Sequence, residues 1–261
     1  MDVQDKSWTP FILEKVNKMR TGNPALSAKT FEGLPESSDR MTINGAVNKT
    51  AMLLALLLIT SAWAWDLFYT TQDINAVLPY LWIGTIGGFI VALVTIFKKT
   101  WSPITSPIYA LLEGLAIGGI SAIFEAAYPG IVIQAVSLTF GTLLVLLLAY
   151  KSGLIKVTEN FKLGIVAATG AICLIYILDL VLRFIGLSIP FIHEGGFFGI
   201  AFSLFVVAIA AFNLVLDFDF IVQGAENGAP KYMEWYSAFG LLVTLVWLYL
   251  EILRLLAKTR R

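Results

Sequence analysis

Seven apolar runs, each about as long as a bilayer is thick, dominate this 261-residue chain. A helix needs about 20 mostly apolar residues to cross the hydrocarbon core. The runs fall at about 46–68, 76–97, 104–127, 131–150, 163–186, 197–222 and 235–257. The links between them are short, so they read as one compact bundle. Composition agrees: 58% of residues are hydrophobic and 14% charged, where soluble domains have about 25% charged. The expectation is an all-α integral membrane protein with a seven-transmembrane-helix domain over 46–261. Residues 1–45 precede it as a polar tail.

The tail carries turn signals at Gly22-Asn23-Pro24, Leu34-Pro35 and Asn44-Gly45. Within it Phe11, Ile12, Lys15, Val16 and Met19 have the spacing of a short interfacial helix. No cleavable leader is visible, which suggests a bacterial inner membrane or another cytoplasm-facing membrane. Lys49, Lys98, Lys99, Lys151, Lys156, Lys162 and Lys231 lie in or beside alternate connections, whereas 69–75, 128–130 and 187–196 hold neither Lys nor Arg. The bias of Lys and Arg toward cytoplasmic loops then gives a cytoplasmic N-terminus. Seven crossings would leave Lys258, Arg260 and Arg261 outside, so either the bias fails there or the last span stops short. The glycine pairs 84/88, 114/118 and 195/199 predict close helix–helix approach.

Ionisable groups within such spans are costly and ordinarily face a partner, a water-filled cavity or an ion path. Glu113 lies near the middle of the third run, with Tyr109, Ala110, Ala116 and Ile117 as its helical neighbours. Asp217 and Asn213 share one face of the sixth, and Asp219 sits about 200° round the helix from Asp217. Both aspartates are near a helix C-terminus, the unfavourable end for negative charge, which would suit a proton-sensing carboxylate. Asp219 could equally reach the interface and be solvated. Asp179 and Arg183, spaced i,i+4, predict a self-neutralising ion pair, and Glu251 and Arg254, spaced i,i+3, another. Measured by helical rise, Glu113 and Asp217 fall in the inner-to-middle half, and Asp179, Arg183, Glu251 and Arg254 in the outer half.

Several function classes are disfavoured. No basic patch interleaved with aromatics points to nucleic acid. Cys173 is the single cysteine, so no internal disulfide forms. The chain has no His-Glu-x-x-His, its one histidine, His193, lies in a connection, and no Gly-x-Gly-Asp is present. Lys258 lies at the very end of the last run, too far out for a retinal-binding lysine. The expectation is a non-enzymatic protein without a cofactor.

Leu216-Asp217-Phe218-Asp219-Phe220-Ile221 and Leu248-Tyr249-Leu250-Glu251-Ile252-Leu253-Arg254-Leu255-Leu256 resemble the acidic signatures of the Bax inhibitor-1 family. Met19-Arg20-Thr21-Gly22-Asn23-Pro24-Ala25-Leu26 and Met41-Thr42-Ile43-Asn44-Gly45-Ala46-Val47-Asn48-Lys49-Thr50 resemble its bacterial YccA-like branch. The resemblance implies a seven-helix bundle with the last helix central. It also implies a pH-sensitive Ca²⁺ leak, a role in ion homeostasis and stress protection, and Asp217 paired with Glu251 as a proton-responsive latch on the Ca²⁺ path. Glu stands in the last span where the family usually has Asp. Counted from the turn at Gly224, Gly228 and Pro230, the two acids are offset by roughly 20 Å. The alternative pairings are Asp217 with Glu113, and Glu251 with Asp179, Arg183 or Arg254. A different role, implied by the bacterial branch, is binding and regulating a membrane quality-control protease. In that role the tail and the bundle surface would matter more than the acids.

Overall fold

A computed structural model describes residues 39–260 except 188, 190, 191, 193 and 194. The expected interfacial helix of the tail, His193 and Arg261 lie outside the described residues.

Among the described residues seven helices are long and apolar enough to cross a membrane. They are α1 (Ile43–Thr71), α2 (Ile74–Phe97), α3 (Ser102–Ala127), α4 (Ile131–Lys151), α5 (Glu159–Phe184), α6 (Phe197–Glu226) and α7 (Met233–Thr259). Each matches one of the seven runs, and most extend beyond it because local chemistry sets their ends. Thr42 caps α1 by accepting the Gly45 N–H at 3.0 Å, so the helix starts three residues before the apolar run. Gln72, left-handed at φ 53°, closes α1, and Asp73 caps α2 through the Asn75 N–H. Pro103 opens α3, where its missing N–H is no loss. Thr158 caps α5 and draws Glu159 to Lys162 into the helix.

Helix α7 is the axis of the bundle. It packs on α1, α3, α4 and α6, and 61% of its most apolar stretch is buried, against 17% for α1, α2, α4 and α5. Residues Tyr236 to Leu242 are buried without a break, almost two turns, so α7 is enclosed on every side there. Around it α3 forms the tightest contacts, with α1 and α2. A Cβ at Gly114 would overlap the Leu57 carbonyl oxygen of α1, and one at Gly118 would overlap that of Ser61. A Cβ at Gly84 would press on the α3 backbone at Leu112 and Ala116. These two glycine pairs therefore set the close approach of α1, α2 and α3. Helix α5 rests chiefly on α6.

The two ends of the bundle are tied differently. At the near end, residues 39–41 run antiparallel to 229–231: Met41 N–H donates to Ala229 O at 2.7 Å and Lys231 N–H to Asp39 O at 3.0 Å. At the far end, Arg260 donates to the carbonyls of Tyr128 and Pro129 and to Gln134. Lys258, 4% exposed, donates to Gly199 O at 3.0 Å and Ser203 Oγ at 2.7 Å. The last helix thus runs the full depth of the bundle. Lys258 and Arg260 are engaged by α6 and the α3–α4 turn rather than held in a free tail, which accounts physically for basic residues at an end whose connections hold neither Lys nor Arg.

Candidate functional site

The polar groups inside the bundle form layers. Depth along each helix follows from a rise of 1.5 Å per residue. Asp217 lies nine residues from the near end of α6 and Glu113 eleven from the near end of α3, so the two share a level about 13–17 Å in. Asp217 is 0% exposed. Residues Asn213 to Phe218 are all buried, more than one full turn, so α6 is enclosed on every side where it carries this acid. Asn213, one turn deeper, donates from Nδ2 to Thr169 Oγ1 of α5 at 2.8 Å and to Ile209 O at 2.9 Å. Its Oδ1 is buried without a hydrogen-bond partner among the described residues. Glu113 accepts a hydrogen bond from Tyr109, one turn before it on α3. Its Oε2 would lie 3.1 Å from a Cβ at Gly88, so the carboxylate rests against the backbone of α2. Tyr109 in turn packs edge-on against Phe239 of α7, with ring centroids 4.9 Å apart.

A second layer lies near the far end. Glu251, 2% exposed, accepts Arg254 Nη1 at 2.8 Å. Tyr176 of α5 offers its hydroxyl to both Glu251 oxygens, at 3.0 and 3.1 Å, and accepts Arg254 Nη1 at 2.9 Å. The Arg254 guanidinium also sits 5.3 Å above the Tyr176 ring, a cation–π geometry. On the same face of α5, Asp179 pairs with Arg183 at 3.0 Å and accepts the Ile189 N–H at 3.0 Å. Both local ion pairs expected from spacing therefore form.

Glu251 is eighteen residues into α7, and Asp217 nine from the end of α6. The two acids are offset by about 13 Å along the bundle, less than the sequence implied because residues 227–232 are spent in the turn and α7 begins only at Met233. Of the two arrangements left open, the one with Glu251 on Arg254 is formed, and the Asp217–Glu251 pairing is not brought together. Asp217 instead shares its level with Glu113.

A third layer, at the near end, was not legible as a site. Asp219 does not simply face solvent: Lys162 reaches it at 3.0 Å, Gln223 Nε2 at 2.6 Å and the Tyr150 hydroxyl at 3.2 Å. Lys162, counted above among the loop charges, is 2% exposed inside α5, because the Thr158 cap starts that helix before the apolar run. Glu234, 0% exposed on the first turn of α7, accepts Thr42 N–H at 3.0 Å, Thr42 Oγ1 at 2.9 Å and Lys231 Nζ at 3.2 Å. Gly45 leaves room there, since a Cβ would overlap the Glu234 carboxylate and push it aside. The only hint in the sequence is the i,i+3 spacing of Lys231 and Glu234.

Among the described residues no three His, Cys, Asp or Glu side chains gather as a metal centre would require. What the arrangement can do is hold buried carboxylates at three separate depths on and beside one central helix. The sequence model of the family described as Bax inhibitor 1 like matches residues 19–261. No curated protein and no solved structure matches the chain.

Proposed function

The chain belongs to the Bax inhibitor 1-like family, and on that premise we propose that it is a non-enzymatic, pH-sensitive cation leak, with Ca²⁺ as the permeant ion. Its roles would be ion homeostasis and stress protection, in a bacterial inner membrane with the N-terminus cytoplasmic. The observation that carries this reading is Asp217: a wholly buried carboxylate, level with Glu113, on a helix enclosed all round and packed on the central α7. A carboxylate so placed gains or loses charge at a large solvation cost, so its protonation changes the packing energy of α6 on α7. Carboxylate and amide oxygens are also the ligands that Ca²⁺ favours. Asp217, Asn213 and Glu113 would line the path. Glu251, held by Arg254 and Tyr176, would act as a fixed strut at the far end rather than as a latch partner.

The test is Ca²⁺ influx into liposomes holding the purified protein, from about pH 5 to 8, for the wild type and Asp217→Asn. Flux that varies with pH in the wild type and loses that dependence in the variant supports the reading. Flux no greater than in protein-free liposomes at any pH would defeat it and leave regulation of a membrane protease as the working alternative.

A further inference from the structure

Helices α1 and α4 both lean on α7, yet they make no extended contact with each other. Between them opens a cavity of about 380 Å³, floored by α3 and α7 and lined by residues including Leu57, Ala62, Trp65, Val136, Leu245 and Val246. Its mouth is formed by Leu58 of α1, 53% exposed, and Phe140 of α4, 42% exposed. The same outer faces continue into Ile59 and into Leu144 and Val145, all exposed. In a membrane-spanning bundle these residues face acyl chains. The cavity is therefore continuous with the lipid-contacting surface and lies within the apolar length of its helices.

The chemistry of the lining selects the occupant. The lining is almost all hydrocarbon: Ser121 Oγ and the Tyr249 hydroxyl bond each other at 2.6 Å, and Thr139 Oγ1 donates to Ala135 O at 2.7 Å, which leaves Ser61 and Trp65 as its other polar side chains. A water needs two to four polar partners, and apolar cavities without them stay dry and take apolar guests. The volume is roughly two to three times that of a cavity that holds benzene, which suits a stretch of hydrocarbon chain. We propose that this cavity is a binding site for one acyl chain of a membrane lipid, entering sideways between α1 and α4 and ending against α7. The site is separate from the Asp217 and Glu251 layers and does not depend on the transport reading. It would let lipid composition bear on the central helix.

The full chain would be reconstituted in phosphatidylcholine vesicles containing a phosphatidylcholine with a photoreactive diazirine on one acyl chain, and adducts mapped by mass spectrometry. The expected result is labelling of the buried floor residues Ile117, Leu245 and Val246 as well as the surface residues Leu144 and Val145. Ala62→Trp, which fills the mouth, should remove the floor adducts and spare the surface ones. Val136→Phe does the same from the opposite wall, and unfolding temperature reports whether each variant folds. Labelling confined to surface residues in the wild type would overturn the proposal on its own, whether or not the variants fold. So would floor adducts that persist in a folded mouth-filling variant, or floor labelling by a water-borne carbene reagent.

Discussion

Lys162 of α5 reaches across to Asp219 of α6 at 3.0 Å, and it does so from a position only 2% exposed. Because α5 rests chiefly on α6, this pair is a principal tether of the fifth helix. Removing one partner of a buried pair strands the other charge, whereas replacing both with apolar groups can be close to neutral.

Lys162→Met should therefore lower stability by about 2–4 kcal/mol, with Tyr150 and Gln223 retaining part of Asp219's solvation. The double variant with Asp219→Leu should recover at least half of that loss. Thermal unfolding in detergent, read as a double-mutant cycle, measures the coupling. Equal destabilisation by the single and double variants would show that the pair does not tether α5.

Tyr176 is the hinge of the far layer, since its one hydroxyl donates to Glu251 and accepts from Arg254. Tyr176→Phe keeps the ring beneath the guanidinium and removes only that oxygen. The expected loss is about 1–3 kcal/mol, the range for a buried carboxylate deprived of a donor. Arg254 is 40% exposed, so Arg254→Gln should fall toward the lower end of the same range.

If Asp217 senses protons and Glu251 is a strut, their neutral variants should part company. Asp217→Asn should flatten the pH profile of Ca²⁺ flux. Glu251→Gln should lower stability and leave the shape of the profile in place. The same liposome assay, with unfolding measured alongside, separates them. A flattened profile in Glu251→Gln would return it to the role of latch.

Glycines at different places should tolerate change very differently. Gly118→Ala puts a methyl group into the Ser61 carbonyl of α1 and should prevent α1 and α3 from docking, with loss of a monodisperse folded species on size-exclusion chromatography. Gly141, in the middle of α4, has nothing within 4 Å of the position a Cβ would take. Gly141→Ala should be neutral or stabilising by up to about 1 kcal/mol through helix propensity. The contrast separates packing from backbone entropy within one bundle.

Glu234 completes the start of α1 from another helix, accepting both the backbone N–H and the hydroxyl of Thr42. Glu234→Ala should cost about 1–3 kcal/mol and speed hydrogen exchange at the amides of Thr42 and Gly45. Exchange unchanged at those amides would mean that the cap holds without the carboxylate.

The sequence carried the seven helices because an apolar run of bilayer length has few other folded solutions. It carried Asp179–Arg183 and Glu251–Arg254 because partners three or four residues apart must meet on a helix. It missed Lys162 and Glu234 because each stands in the polar flank of its run, where charge reads as loop. The Thr158 cap and the Thr42 contact, which draw them inside, depend on local geometry and on a segment distant in the chain. Tyr176 belongs to no spacing pattern; its role comes from a hydroxyl whose partners lie 75 and 78 residues away. The level shared by Asp217 and Glu113 could be counted from helical rise, but which faces meet is a tertiary fact that spacing does not encode.

The tie between Thr42 and Glu234 has a bearing on how the protein is made. The first of the seven membrane-length helices among the described residues is finished by a side chain that arrives some 190 residues later. The last helix is also the one on which α1, α3, α4 and α6 converge. Until it inserts, the nascent chain is a ring of helices around a vacant centre, with the beginning of α1 still incomplete. Assembly thus waits for α7, and a chain cut short before Met233 has neither the axis of the bundle nor the seal on α1.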